Sequence, residues 1–357
     1  MRYSKISRRE FLQISAVGLG GATLGNLLPA RQSEDFPQAE RLGRICYGRW
    51  DVKAAPDYDA PTVSQVYDDQ IVVWLREVVG RWPFRNNQKW IETPDGFLWG
   101  AYIQPVQNKP NEPVLDLTDT SVGKGMWVEV TVPYVDLRMV NPPPRHPYFK
   151  SLYEKNFPLR FYYSQVLWVD QVRTTDSGNV EYRINELYGN RGDIYWADAH
   201  AFRPLTEEEI APISPDATDK RIVVDITPSR QVLSCFEGNT EVYFCRVSSG
   251  KAQGSTPMGT FNIWRKLLSI HMEGGTAVAG WDVGGVGWTN LFTSNGVAIH
   301  STYWHNNFGE TESNGCVNIA PQDAKWIFRW TFPPVEKDPG EKTVTDFIST
   351  KVSVIMA

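Results

Sequence analysis

A basic excess is missing from this chain of 357 residues, where Lys+Arg 36 against Asp+Glu 41 gives a formal net charge of -5. That excludes nucleic-acid binding through phosphates as its main role. Beyond residue 30 there is no long apolar stripe at the 3.6-residue period, which excludes a mainly helical body. Cysteine and histidine are scarce, at 4 and 5 residues. No Cys or His pair stands at metal-ligand spacing, so neither a metal nor a cofactor is expected. What abounds is turn formers and aromatics, with 24 Pro, 28 Gly, 14 Trp, 15 Tyr and 16 Phe. They imply short strands joined by turns, with most rings in cores and some left to touch sugars or peptides.

The first thirty residues lack an uninterrupted apolar run. Ser7-Arg8-Arg9-Glu10-Phe11-Leu12-Gln13 sets an arginine pair ahead of an apolar stretch from Phe11 to Leu28, diluted by Gly18, Gly20, Gly21 and Gly25. This looks like a twin-arginine export signal read by the twin-arginine translocation machinery, and Leu28-Pro29-Ala30 resembles a processing site. Leu28 is large for that site, so an uncleaved membrane anchor stays open. No cysteine ends the stretch, which argues against lipid modification. The rest of the chain is expected to work in the periplasm or at the cell wall, where a disulfide is permitted. Cys235 and Cys245 flank a hairpin turn and are candidates for a bridge across facing strands.

From residue 31 onward, alternating runs bounded by Gly, Pro, Asn or Asp predict a mainly β fold. The clearest strands are 128–132, 161–170, 221–226, 231–236, 242–247 and 352–355. The best helix is 320–330, with Pro321 early, Asp323 in the first turn, and Ala324, Ile327 and Phe328 on one face. Two segments share a strand, a Gly-bearing turn, an aromatic-rich strand and an exit proline: 89–106, and 182–205. They resemble bacterial SH3-like modules, small barrels expected over 42–112 and, more divergently, 120–206. These are spacers or wall binders. Residues 207–218 read as a linker, and 219–357 as the last domain.

The hexapeptide Ser313-Asn314-Gly315-Cys316-Val317-Asn318 places a thiol after a glycine and just before the expected helix. Backbone N–H groups there would face the sulfur, favouring thiolate and holding an oxyanion, as an acyl-transfer cysteine requires. Of the histidines His146, His200, His271, His300 and His305, His300 follows the strand-like Val297-Ala298-Ile299 and is the preferred base. His305 and His271 are reserves.

Ile299-His300-Ser301-Thr302-Tyr303-Trp304, Phe308-Gly309 and that hexapeptide together resemble the active-site signature of L,D-transpeptidases, the YkuD-type catalytic domain. Ile222-Val223-Val224-Asp225, Gln231-Val232-Leu233, Ser249-Gly250 and Thr256-Pro257-Met258-Gly259-Thr260-Phe261 match the family's earlier segments in order. The resemblance spans 219–357 and implies a β-sandwich with a short helix after the catalytic cysteine. It implies an exported cysteine enzyme acting on peptidoglycan stem peptides as donor and acceptor. Cys316 would attack the carbonyl before the terminal D-alanine of a tetrapeptide stem, releasing D-alanine and forming a thioester. A neighbouring stem's amine would then complete a 3-to-3 crosslink; water would give L,D-carboxypeptidase activity. Carbapenems would acylate the same thiol.

The resemblance further implies that His300 activates Cys316 and that the Ser301 carbonyl orients the imidazole. The N–H groups of Asn314, Gly315 and Cys316 would hold the oxyanion, and Tyr303, Trp304, His305, Ser313 and Asn318 would serve the substrate groove. Two departures stand out: the family carries a histidine where this chain has Asn314, and the stretch between His300 and Ser313 is shorter than the family's usual spacing. Asn cannot take a proton, so a catalytically impaired wall-binding protein is the competing expectation.

Overall fold

The computed structural model describes residues 36–345 and 348–357. The expected export signal lies outside them. Strands dominate, and the α-helices among the described residues are short: Pro147–Tyr153, Glu207–Ile210 and Pro321–Trp330.

In the first domain, strands Leu42–Ile45, Ile71–Val73 and Ile103–Val106 make one antiparallel sheet. Five further strands between Arg49 and Trp99 make a second. The two sheets share a core of Ile45, Val52, Trp74, Ile91, Leu98 and Ile103. The pairing leaves both sheets open and does not close a ring.

The middle domain is a single antiparallel sheet of eight strands between Thr118 and Pro204, again open. Its central strand Val166–Thr174 begins with four consecutive buried residues. Period-2 alternation explains the run. Leu167 and Val169 face the domain's own core with Val128, Val130 and Tyr182, while Val166 and Trp168 join the core of the last domain. A sheet covered on both faces needs such continuous hydrophobic strands.

The segment expected to be a free linker is instead packed. Thr206 caps the helix Glu207–Ile210 with a capping box to Glu209. Glu209 accepts from Arg203 and from Lys325 of the last domain, and Ile210 enters the common core. The acidic residues of the expected linker are used in ion pairs across the junction.

Strands of the last domain are β1 (Lys220–Thr227), β2 (Arg230–Glu237), β3 (Thr240–Arg246), β4 (Gly259–Asn262), β5 (Arg265–Gly275), β6 (Gly280–Leu291), β7 (Ala298–Ser301) and β8 (Val317–Ile319). After helix α1 (Pro321–Trp330) come β9 (Glu341–Thr343) and β10 (Lys351–Ile355). One sheet has the order β3-β2-β1-β10-β4 and the other β8-β7-β6-β5-β9. Ile222, Val224, Leu233, Val352 and Val354 of the first sheet meet Leu268, Trp288, Ile299, Val317 and Ile319 of the second in one core. Ala324, Ile327 and Phe328 of α1 complete it, as their spacing predicted.

The expected bridge between Cys235 and Cys245 is not formed; all four cysteines are free. The β2–β3 register sets Cys235 opposite Tyr243 and Cys245 opposite Leu233. The thiols are thus diagonal neighbours on the core face, where they act as small hydrophobes and burial pushes both pKa values well up.

Helix α1 ends on a buried lysine. Lys266 on β5 donates from Nζ to the carbonyls of Phe328, Thr331 and Pro333 at 2.7, 2.8 and 2.8 Å. These include carbonyls that a helix leaves orphaned at its C-terminus. Burial and the nearby Lys220 push the Lys266 pKa well down, against the three acceptors. Lys266→Met should therefore lower unfolding free energy by about 3 kcal/mol, through carbonyls stranded in the core. Denaturant unfolding of the two proteins checks this, and a loss below about 1 kcal/mol would mean the carbonyls find other donors.

Candidate active site

Two short parallel strands build the site. β7 and β8 pair with Ile299 opposite Val317, His300 opposite Asn318 and Ser301 opposite Ile319. Parallel neighbours need a crossover, here residues 302–316, and that crossover delivers Cys316 to the head of β8. Its thiol donates to the Gly296 carbonyl oxygen at 3.8 Å.

The turn before Cys316 is held from both sides. Gly315 has φ +153, and a Cβ there would lie 2.7 Å from the Ser255 carbonyl oxygen, so no other residue fits. The Thr256 hydroxyl donates to the Gly315 carbonyl at 2.7 Å and accepts from the Gly250 N–H at 2.9 Å. Ser313 Oγ accepts from the Gly315 N–H at 3.0 Å and donates to the Cys316 carbonyl. The Thr-Pro and Ser-Gly segments noted in the sequence thus shape the turn before Cys316.

His300 and Cys316 line one cavity of about 420 Å³, with Trp304, Met272, Trp281 and Val283 among its walls. His300 Nδ1 lies 2.8 Å from the Ser301 carbonyl oxygen. A carbonyl can only accept, so Nδ1 carries the proton and Nε2 is left as the basic nitrogen. Burial lowers the His300 pKa to about 4, against the Ser301 carbonyl. Burial also raises the Cys316 pKa, partly offset by the Ala298 N–H. Thiol and imidazole are therefore both neutral at neutral pH.

The helix expected over 320–330 is present at Pro321–Trp330, but it does not adjoin Cys316. β8 intervenes and α1 begins at Pro321, so its dipole, confined to about the first turn, does not reach the sulfur. Of the three N–H groups expected to hold an oxyanion, two are unengaged among the described residues. The Gly315 N–H is occupied by Ser313, whereas the N–H groups of Asn314 and Cys316 have no hydrogen-bond partner among the described residues.

Trp304, Ser313, Asn314 and Asn318 all line the cavity with Cys316. Tyr303 does not. Its hydroxyl donates to the Gly284 carbonyl at 3.0 Å and accepts from Gln165 at 3.1 Å, and its carbonyl accepts from Arg44 at 2.7 Å. It is a buried tie joining all three domains.

His305 lines a different cavity of about 360 Å³. Its Nδ1 accepts the Asn307 N–H at 3.2 Å, and its Nε2 lies 3.0 Å from the Asn318 side-chain amide nitrogen. Both nitrogens are engaged, which removes it as a second base. His271 is likewise committed elsewhere, to Glu186 and Asp282. Its donor atoms and those of Glu273 and Asp282 lie within 4.8 Å of one another, the metal-ligand composition present among the described residues. Here His271 pairs with Asp282 and Glu186, while Glu273 accepts from the Asn190 amide.

Sequence reading missed the walls given by Met272, Trp281 and Val283, whose alternation on β5 and β6 was the available signal. It also missed Glu312, at the cavity edge. Burial would raise the Glu312 pKa, but bonds from Lys251, Asn307 and Tyr102 outweigh it and keep the carboxylate ionised.

Residues 219–345 match the family model of the L,D-transpeptidase catalytic domain, YkuD. No curated protein matches the chain. Among solved structures, a cysteine-to-serine mutant of the Enterococcus faecium L,D-transpeptidase is 22% identical with a TM-score of 0.30, over 38% of this chain and 50% of that one. The chain thus spans half the length of that relative. The catalytic domain of the E. faecium enzyme is 22% identical with a TM-score of 0.29, over 39% of this chain and 98% of its own. An L,D-transpeptidase from Mycobacterium smegmatis is 16% identical with a TM-score of 0.32, over 62% and 99%. Residues 219–345 of this mainly β chain are a YkuD-type L,D-transpeptidase catalytic domain.

Proposed function

We propose that this protein is an exported peptidoglycan L,D-transpeptidase, with Cys316 as nucleophile and His300 as base. The observation that carries the reading is the shared cavity, into which Cys316 opens beside an imidazole whose tautomer is set by the Ser301 carbonyl. Donor stem binds first. As the thiol attacks the carbonyl before D-alanine, its proton moves to His300 Nε2 and the tetrahedral oxyanion takes the N–H groups of Asn314 and Cys316. Collapse expels D-alanine, whose nitrogen takes the proton back, and leaves the thioester. An amine from an acceptor stem repeats the cycle in reverse and gives the 3-to-3 crosslink. The twin arginines Arg8 and Arg9 support export, and the acylation of related enzymes by avibactam and ertapenem supports carbapenems as probes.

Incubation of the protein with a carbapenem, and separately with a disaccharide tetrapeptide, should give one adduct by intact mass, with D-alanine released in the second case. Cys316→Ala should give none. An adduct elsewhere would refute the nucleophile, and no adduct with either compound would favour a wall-binding protein whose site has been lost.

A neutral pair has its own pH signature. His300 loses its basic nitrogen only below its pKa of about 4, so the acylation rate should be level from about pH 5 to pH 8 and fall at more acid pH. A fall centred between about pH 6 and 7 would contradict the buried, neutral imidazole. His300→Ala should slow acylation about 10²- to 10⁴-fold.

A further inference from the structure

The wall of the cavity opposite Cys316 is the hairpin β5–β6, and it is not straight. Ile270 pairs with Val286 but Met272 pairs with Val283, so β6 carries an extra residue where Gly284 and Gly285 stand. Gly285 sits at φ +63. Such a bulge bends a hairpin and leaves a ladder group unpaired. Beyond the bend, Met272, Trp281 and Val283 reach the cavity, while His271 and Asp282, one residue out of step, face away.

On that outer side lies Glu186 of the middle domain. One carboxylate oxygen accepts the Gly285 N–H at 2.5 Å, and the other meets His271 Nδ1 at 2.5 Å. A single carboxylate thus holds both strands of the hairpin at the bulge. The chain around it follows β5: the His271 N–H donates to the Tyr188 carbonyl and the Asn190 N–H to the His271 carbonyl, both at 2.9 Å. A Cβ at Gly284 would come 2.8 Å from Glu186, so the glycine pair also makes room for the carboxylate. Burial would lower the His271 pKa, but Glu186 and Asp282 outweigh it and push it up to about 10. The contact is charge-assisted.

We propose that Glu186 is a positioning residue that fixes the bend of the β5–β6 hairpin over Cys316, making the middle domain part of the donor-binding cover. This rests on the transpeptidase reading for its consequence in binding. It implies that the middle domain is required at the site whatever it does at the wall. Weakening the clamp lowers the fraction of molecules with the hairpin in place, and apparent affinity falls by that fraction. Nucleophile and base are untouched, so the rate at saturation is kept.

The test uses the full chain as wild type, Glu186→Gln and the control Arg173→Gln, which breaks a middle-sheet ion pair with Glu181. Glu186→Gln should raise the half-saturating carbapenem concentration about tenfold, as expected for losing a charge-assisted bond, with the limiting acylation rate within about twofold. Hydrogen exchange should quicken in peptides spanning 268–286 and stay unchanged in β1 and β2. Arg173→Gln should change neither reading. Unchanged exchange in the hairpin, acceleration spread equally over every sheet, or unchanged half-saturation would each overturn the proposal. Wild type that takes no adduct at Cys316 would count against the transpeptidase reading alone, because the exchange arm still decides whether Glu186 holds the hairpin.

Discussion

Everything about this site depends on the pairing of two parallel strands of four and three residues, β7 and β8. Parallel pairing forces the chain to leave β7 and return in the same direction, and the returning turn carries the thiol. Short strands cannot hold such a pair alone. Ile299, Ser301, Val317 and Ile319 are accordingly buried, and the turn is fixed by hydroxyls from Ser313 and Thr256 and by a glycine where a Cβ has no room. The same burial that secures the strands removes water from His300 and from much of half-buried Cys316. Packing and chemistry are one constraint here, because desolvation that stabilises the strand pair also keeps imidazole and thiol uncharged.

Much of this was legible in the sequence because local pattern and global role agree. The strands of the last domain follow period-2 alternation, and α1 shows its apolar face and its early proline. Cys316 and His300 were legible through the company they keep, since a lone Cys and His sixteen residues apart say little. What was not legible depends on register. Cys235 and Cys245 flank a turn, but the β2–β3 register offsets them, and offset cannot be read from composition. Tyr303 stands between two site residues and yet turns to Gly284, because alternation on an irregular segment is not fixed by neighbours. The acidic stretch after residue 206 read as a linker, because its partners Arg203 and Lys325 come from other elements.

The middle domain changes meaning once its buried faces are counted. A module joined by a flexible tether keeps its own core and a polar outside. Here Trp127, Val166, Trp168 and Leu205 enter the core of the last domain. Glu186 and Gln165 bind the hairpin backbone directly. Domain boundaries drawn from sequence resemblance therefore cut through a continuous hydrophobic unit.

The substitution of Asn314 for the family's usual histidine bears less on the proposed chemistry than its place beside Gly315 suggests. A base needs a basic nitrogen with a fixed tautomer, and the Ser301 carbonyl supplies that condition at His300. Position 314 is exposed, and what it offers the reaction is its backbone N–H, which is independent of the side chain. In the same turn the Gly315 N–H is taken up by Ser313, so the two free donors flank it, one on the residue before and one on the nucleophile itself. An asparagine at 314 keeps that N–H as a histidine would, so under the proposed function the departure alters the proton inventory and leaves both donors in place.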